Sequence, residues 1–198
     1  MKNIIHLGLN QMSHIYFHLL TRFYIKTVPI VVDIGCGTRP QPYIIPYLHV
    51  CIDPYKPYLD KIEETKDRIW VKKCGDWKYA IDMMQKGMRA NSVFLLDIIE
   101  HVNKEESLKL LKETELWVND QIIVFTPLGY FEQKETDDGK DAWGMNGTEY
   151  QRHRSGWYPE DFGDGWTVWI IPYAHIVNSL DEPIKPASAI LAIYNKRK

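Results

Sequence analysis

Ile30-Val31-Val32-Asp33-Ile34-Gly35-Cys36-Gly37-Thr38 is the stretch that decides the fold. Its continuous apolar run lacks the alternation of a half-exposed strand, which marks a strand buried on both faces, as in a parallel sheet covered by helices. The glycines that end it remove side chains where a ligand can approach the backbone. The same grammar recurs in Val50-Cys51-Ile52-Asp53, in Ile69-Trp70-Val71 leading to Gly75-Asp76, in Val93-Phe94-Leu95-Leu96-Asp97, and in Ile122-Ile123-Val124-Phe125. Asp33, Asp53, Asp76 and Asp97 follow one another at spacings of 20, 23 and 21 residues. Such spacing leaves room for a crossover helix at each step and puts each carboxylate at the carboxyl end of its strand. That edge is where open α/β sheets bind ligands. The pattern predicts a doubly wound, mostly parallel α/β sheet with helices on both faces and four acids facing one crevice.

The rest of the chain fits one such domain. Its 198 residues are 45% hydrophobic and 25% charged, enough for a substantial core. The formal charge is −2 with no basic run in the interior, so nothing electrostatic points to a nucleic-acid partner, which needs clustered Lys and Arg. No run approaches the roughly 20 apolar residues of a membrane span. Cys36, Cys51 and Cys74 are odd in number and form no C-x-x-C pair, so neither a disulfide framework nor a zinc site is expected, and a cytoplasmic location fits.

Residues 1–27 are expected to form an N-terminal helix, with Met12, Ile15, Tyr16, Leu19, Leu20 and Phe23 as the stripe that lies against the domain. Asn103, with Glu106 three residues on, predicts the start of another helix. Residues 127–162 lose all periodicity and read as a long substrate-covering loop. Beyond it, Trp166 to Tyr173 and Ala187 to Tyr194 read as two more strands. Nine aromatics between Pro127 and Trp169, a surplus over even spread, point to that region as the acceptor site.

Three ligands compete for the glycine turn, which is expected to lead into a helix holding Pro40 in its first turn. A triphosphate-binding loop needs a Gly-Lys-Ser/Thr ending, which is absent. The dinucleotide fingerprint wants a third glycine where Pro40 stands. S-adenosylmethionine asks less of the turn: a close backbone at Gly35, Cys36 and Gly37, and an acceptor for its ammonium group, which Asp33 can supply. Asp53 is placed to accept hydrogen bonds from both ribose hydroxyls, and Asp76 with Trp77 to take the adenine amino group and cover the ring.

Val31-Val32-Asp33-Ile34-Gly35-Cys36-Gly37-Thr38 together with Leu95-Leu96-Asp97-Ile98-Ile99-Glu100-His101-Val102 resembles the first and fourth motifs of the class I S-adenosylmethionine-dependent methyltransferases, nearest the small-molecule kind called type 11. Val124-Phe125-Thr126-Pro127-Leu128-Gly129 and His153-Arg154-Ser155-Gly156-Trp157, followed by Pro159-Glu160-Asp161-Phe162, are similar to further segments of that superfamily. The resemblance implies a Rossmann-like, seven-stranded sheet whose last strand is antiparallel, and transfer of a methyl group to a small-molecule acceptor. An NAD-dependent oxidoreductase and a non-catalytic cofactor-binding protein of the same fold are the alternatives.

For a hydroxyl acceptor, His101 is the candidate general base, on the expectation of a pKa near the working pH. Asp97 completes the cofactor set. Tyr130, His153, Arg154 and Trp157 are the candidate acceptor-binding residues, Arg154 as a fixed cation and the aromatics as an enclosure for a ring. No metal is expected, because consecutive strand-exit residues such as Asp97, Glu100 and His101 rarely converge on one ion.

Overall fold

The computed structural model describes residues 2–6, 13–133, 138–177 and 182–196. Eight strands form one sheet: β1 (Asn3–His6), β2 (Ile30–Ile34), β3 (Leu48–Asp53), β4 (Ile69–Cys74), β5 (Ala90–Leu96), β6 (Val118–Pro127), β7 (Trp166–Val177) and β8 (Pro183–Asn195). Their order across the sheet is β1-β7-β8-β6-β5-β2-β3-β4. Only β8 runs against its neighbours, pairing antiparallel with β6 and β7, whereas every other pair is parallel. The five apolar runs and the final pair all become strands, and the mostly parallel sheet with an antiparallel last strand is as expected.

The count of seven strands is corrected to eight. Asn3–His6 is not helical but adds a parallel edge strand beside β7, with Asn3 opposite Thr167 and Ile5 opposite Trp169. The helix that follows, α1 (Ser13–Tyr24), is shorter than the expected N-terminal segment. Met12 lies outside the described residues. Of the predicted stripe, Leu20 packs against the core while Leu19 and Phe23 face solvent, and the side chains of Ile15 and Tyr16 lie outside what is described. The helix is anchored through Thr21, Ile25 and the Tyr24 ring, which stands 4.7 Å from that of Trp169.

Alternate residues of the strands feed two cores. Val32, Ile34, Val50, Ile52, Leu95 and Ile122 face α3 (Trp77–Gln85) and α4 (Lys104–Trp117). Val31, Phe94, Ile123, Leu191 and Ile193 face the α1 side. Asn103 precedes α4 as expected, though its side chain makes no capping bond.

A second correction concerns the connection from β2 to β3, which holds no helix. Pro40, Pro42 and Pro46 each remove a backbone donor and push the preceding residue out of the helical region. The buried side chain of Gln41 organises the segment instead. Its Oε1 accepts from Tyr43 N at 2.9 Å and Ile44 N at 3.1 Å, and its Nε2 donates to the Ile44 carbonyl at 2.9 Å. Between β3 and β4 stands only the short α2 (Lys56–Asp60).

Local structure appears within the described part of 127–162. Leu128 and Gly129 bridge to Trp157, and the stretch contains α5 (Thr148–Gln151) and a 3-10 turn at Pro159–Asp161.

Candidate functional site

The carboxyl ends of β2, β3, β5 and β6 open into one crevice of about 600 Å³, lined at its ends by Gly35, Asp53, Leu96 and Pro127. That volume is in the range of small-molecule sites. It lies over the point between β2 and β5 where the strand order reverses, the position at which open α/β sheets take their ligands.

One wall is the glycine turn. Gly35 N and Cys36 N both donate to the Ile52 carbonyl, at 2.7 and 3.3 Å, which curls the turn over the end of β3. Gly35 and Gly37 have φ of 67° and 56°, the left-handed region that side chains disfavour. A Cβ on Gly35 would stand 2.2 Å from Ile98 Cδ1, and one on Gly37 2.7 Å from Trp143 Cη2. Asp53 fixes the turn from below: Oδ2 accepts from Gly37 N at 3.0 Å and Oδ1 from Tyr55 N at 2.8 Å. Burial raises its carboxyl to about pKa 6 against the pull of those two N–H groups. Each oxygen keeps a further lone pair, so Asp53 can still accept from a bound hydroxyl.

A second wall is aromatic. Tyr58, Trp143 and Tyr150 line the crevice, with Tyr55 packed behind them. The Tyr58 and Trp143 rings meet edge to face at 4.7 Å. The loop that carries Trp143 is fastened by one buried carboxylate. Asp141 Oδ1 accepts from Trp143 N and Met145 N, each at 2.9 Å, while Oδ2 accepts from Gly147 N at 3.0 Å and from the Tyr58 hydroxyl.

The inner end carries the titratable groups. Asp97 has φ of 49°, a strained value for a non-glycine residue of the kind found at functional sites, and faces the crevice. Crowding by protein atoms raises its carboxyl above the usual carboxylate range although its own surface is open to the crevice, and burial with the Asp97 charge raises Glu100 well above the usual range. His101 and His153 meet edge to face at 4.7 Å. Desolvation, with the neighbouring His153, lowers His101 to about 4, and desolvation lowers His153 as well. The His101 value is below the working pH expected of a general base: the imidazole is neutral but weakly basic. The two histidines are brought together by the backbone, since Arg154 N and Ser155 N both donate to the Glu100 carbonyl, at 2.7 and 3.1 Å.

Gly35, Cys36, Gly37, Asp53, Asp97, His101 and His153 thus share one crevice. The other expected site residues do not line it. Asp33 is buried beneath the turn, accepting from Gln41 N at 2.7 Å and standing 3.5 Å from His49 Nε2. Asp76 caps α3 through Lys78 N and Tyr79 N, and Trp77 is part of the core under that helix. Arg154 is paired with Glu149. Trp157 is fully buried, donating to Ser155 Oγ at 3.1 Å beneath the Lys104 ammonium, so the expected acceptor contact is a core residue. Tyr130 is mostly exposed and lines a smaller neighbouring pocket that shares His153. Tyr58 and His175 were not anticipated and reach the crevice only through tertiary packing, while Trp143 and Tyr150 were marked only as members of the aromatic surplus between Pro127 and Trp169.

No protein-family profile matches the chain, and no curated protein matches its sequence. Solved structures match over nearly its whole length. Magnesium protoporphyrin IX methyltransferase (ChlM) from Synechocystis PCC 6803 with bound SAM superposes with a TM-score of 0.55 at 14% identity, covering 94% of this chain and 79% of that one. The DhpI–SAH complex gives 0.57 at 10% identity, with coverages of 94% and 87%. TehB from Haemophilus influenzae gives 0.58 at 14% identity, with coverages of 91% and 62%. At these identities the likeness shows a shared fold, a mostly parallel α/β sheet with an antiparallel strand. Among the described residues no helix is long and apolar enough to cross a membrane.

Proposed function

We propose, from the class I S-adenosylmethionine-dependent methyltransferase fold of this chain, that it transfers a methyl group from S-adenosylmethionine to a hydroxyl of a small-molecule acceptor. The observation that carries the reading is the glycine turn held against Asp53 at the switch point of the sheet. Bare backbone at Gly35 and Gly37 suits the methionine part, and the Asp53 carboxylate, with lone pairs to spare, suits a ribose diol. Tyr58, Trp143 and Tyr150 offer flat surfaces for an adenine ring, a role sequence reasoning had given to Trp77.

The cofactor supplies a methyl group already activated on a sulfonium sulfur. The protein's part is alignment, since holding two reactants in line contributes several kcal/mol to lowering the barrier. His101, His153 and Asp97 bound the inner end, where an acceptor hydroxyl can be oriented by hydrogen bonds. His101 as a neutral imidazole accepts such a bond well but takes a proton poorly at neutral pH, given its lowered pKa.

Calorimetric titration with S-adenosylmethionine and S-adenosylhomocysteine tests the reading, with NADH as control. Both sulfur ligands are expected to bind and NADH is not; no binding of either refutes it. Labelled methyl groups offered with a cell extract should then appear in the low-mass fraction. Label recovered in RNA or protein instead would refute the acceptor class.

A further inference from the structure

At the inner end of the crevice, one ligand atom each from Glu100, His101 and His153 lies within 4.8 Å of the other two. We propose that these side chains bind one divalent transition-metal ion of the zinc or cobalt type, and that its open positions take the oxygen of a hydroxyl-bearing acceptor. The cation site stands on its own geometry, whereas its part in methyl transfer rests on the proposed function.

Glu100 gives the first reason. Its side chain is buried, its Oε2 is fixed by the Thr126 hydroxyl at 2.9 Å, and no N–H or hydroxyl donor reaches its buried Oε1, whose carboxyl stands against that of Asp97. A buried carboxylate oxygen in that state is costly unless it is protonated, paired or bound to a metal. Among the described residues lining the crevice, the only Lys or Arg is Arg39, beside the glycine turn. No cationic side chain there is set to pair with Glu100.

The imidazoles give the second. Nδ1 of His101 lies 3.3 Å from the Arg152 carbonyl, and Nδ1 of His153 is hydrogen-bonded to the Phe131 carbonyl. A carbonyl only accepts, so the tautomer that satisfies these two contacts carries the hydrogen on Nδ1 and leaves the lone pair on Nε2. Metal-binding histidines are oriented in this way, by donating the other ring nitrogen to a carbonyl or carboxylate. Two neutral imidazoles and one carboxylate suit zinc, cobalt, manganese or iron, whereas magnesium and calcium prefer oxygen donors. Ligand bonds of about 2.0–2.2 Å would draw the three atoms closer by small side-chain rotations.

Three protein ligands leave positions open, and a hydroxyl bound at one of them ionises more easily. The step then balances. The acceptor O–H bond breaks and its proton leaves through the crevice mouth to water. The oxygen pair forms the bond to the methyl carbon, and the carbon–sulfur pair returns to sulfur, giving the methyl ether and S-adenosylhomocysteine.

The test uses metal alone. Chelator-stripped protein is titrated with Zn²⁺, Co²⁺ or Mg²⁺ by calorimetry, and Co²⁺ is also followed by its visible absorption. One Zn²⁺ or Co²⁺ per chain is expected, with Mg²⁺ far weaker. His153→Ala and Glu100→Gln should each lower Co²⁺ affinity by about 100-fold or more, and Thr126→Val by about 10- to 100-fold, as loss of a supporting hydrogen bond does. Circular dichroism checks each variant, and His153→Ala decides the matter if Glu100→Gln does not fold. No stoichiometric Zn²⁺ or Co²⁺ binding, Mg²⁺ binding as tight as Zn²⁺, or Co²⁺ affinity unchanged in His153→Ala overturns the proposal. S-adenosylhomocysteine titrated into the same samples separates the two readings: its binding without metal binding sinks the cation alone.

Discussion

His49 has no exposed surface, and its Nε2 stands 3.5 Å from Asp33 Oδ2 directly beneath the glycine turn. Burial disfavours the charged ring, but the Asp33 carboxylate and the Cys51 sulfur outweigh it, and the pKa rises from 6.5 to about 9. The folded value lies above the unfolded one, so the pair's stabilisation is fully present below pH 6.5 and fades as pH rises through 9. At 1.36 kcal/mol per tenfold preference, the shift is worth roughly 3 kcal/mol at pH 6, shared between Asp33 and Cys51, and most of it is lost between pH 7 and 9.5. The neighbouring Cys51 thiol, lowered to about 7 by Cys36 and His49, would titrate in the same range, so the comparison is made in a Cys51→Ser background. Urea unfolding at pH 7 and 9.5 is measured for that protein and for the same protein carrying His49→Gln. The first should lose more than the second over the interval, by less than the full amount because the Cys51 share of the shift is absent from that background. Parallel losses would refute a charged His49 and leave a neutral imidazole beside Asp33.

Two further outcomes follow from the crevice walls. Gly37→Ala, at a φ of 56° and with its Cβ 2.7 Å from the Trp143 ring, should cost on the order of 1 kcal/mol in folding and weaken S-adenosylhomocysteine binding at least about tenfold; unchanged affinity by calorimetry would remove the turn from the cofactor site. Asp141→Asn leaves one acceptor oxygen and turns an NH₂ towards donors of the Trp143 loop, so the segment 138–147 should become sensitive to limited proteolysis at a cost of about 1–3 kcal/mol. An unaltered cleavage pattern would mean that the loop is held by its ring contacts instead.

What the sequence disclosed and what it hid divide by the range of the interactions. Val31-Val32 and Val93-Phe94-Leu95 announce central strands because burial on both faces is written into each run locally. Asn3–His6 does not, for an edge strand of four residues has too little pattern to be told from the start of a helix. The acids at the strand ends looked equivalent, but their partners come from elsewhere in the fold. His49 and Gln41 take Asp33 out of the crevice, the amides of Lys78 and Tyr79 take Asp76, and only Asp53 and Asp97 remain at the cavity. The aromatic surplus divides in the same manner. Trp157, Phe162, Trp166 and Trp169 are buried, Phe131, Trp143 and Tyr150 line the crevice, and Tyr130 and Tyr158 are exposed, so three of the nine line the cavity.

The inner end of the crevice is a different case, because its logic is legible once one backbone contact is known. His153 lies 52 residues beyond His101, and neither spacing nor periodicity links them. The two amides after His153 dock on the Glu100 carbonyl, so the segment His153-Arg154-Ser155 must arrive with its histidine beside His101. Ser155 locks the arrangement by donating its hydroxyl to the Val102 carbonyl at 2.9 Å, and Trp157, two residues on, roots the segment in the core by donating to that same Ser155 oxygen. Trp157 therefore acts on the acceptor end without touching it. Its burial holds the strand-like segment that presents His153, so truncating it should disturb the inner end together with the core. The residues that looked like a binding motif in the sequence are mostly the fastening of one, and the group they deliver, His153, is the one that reaches the crevice.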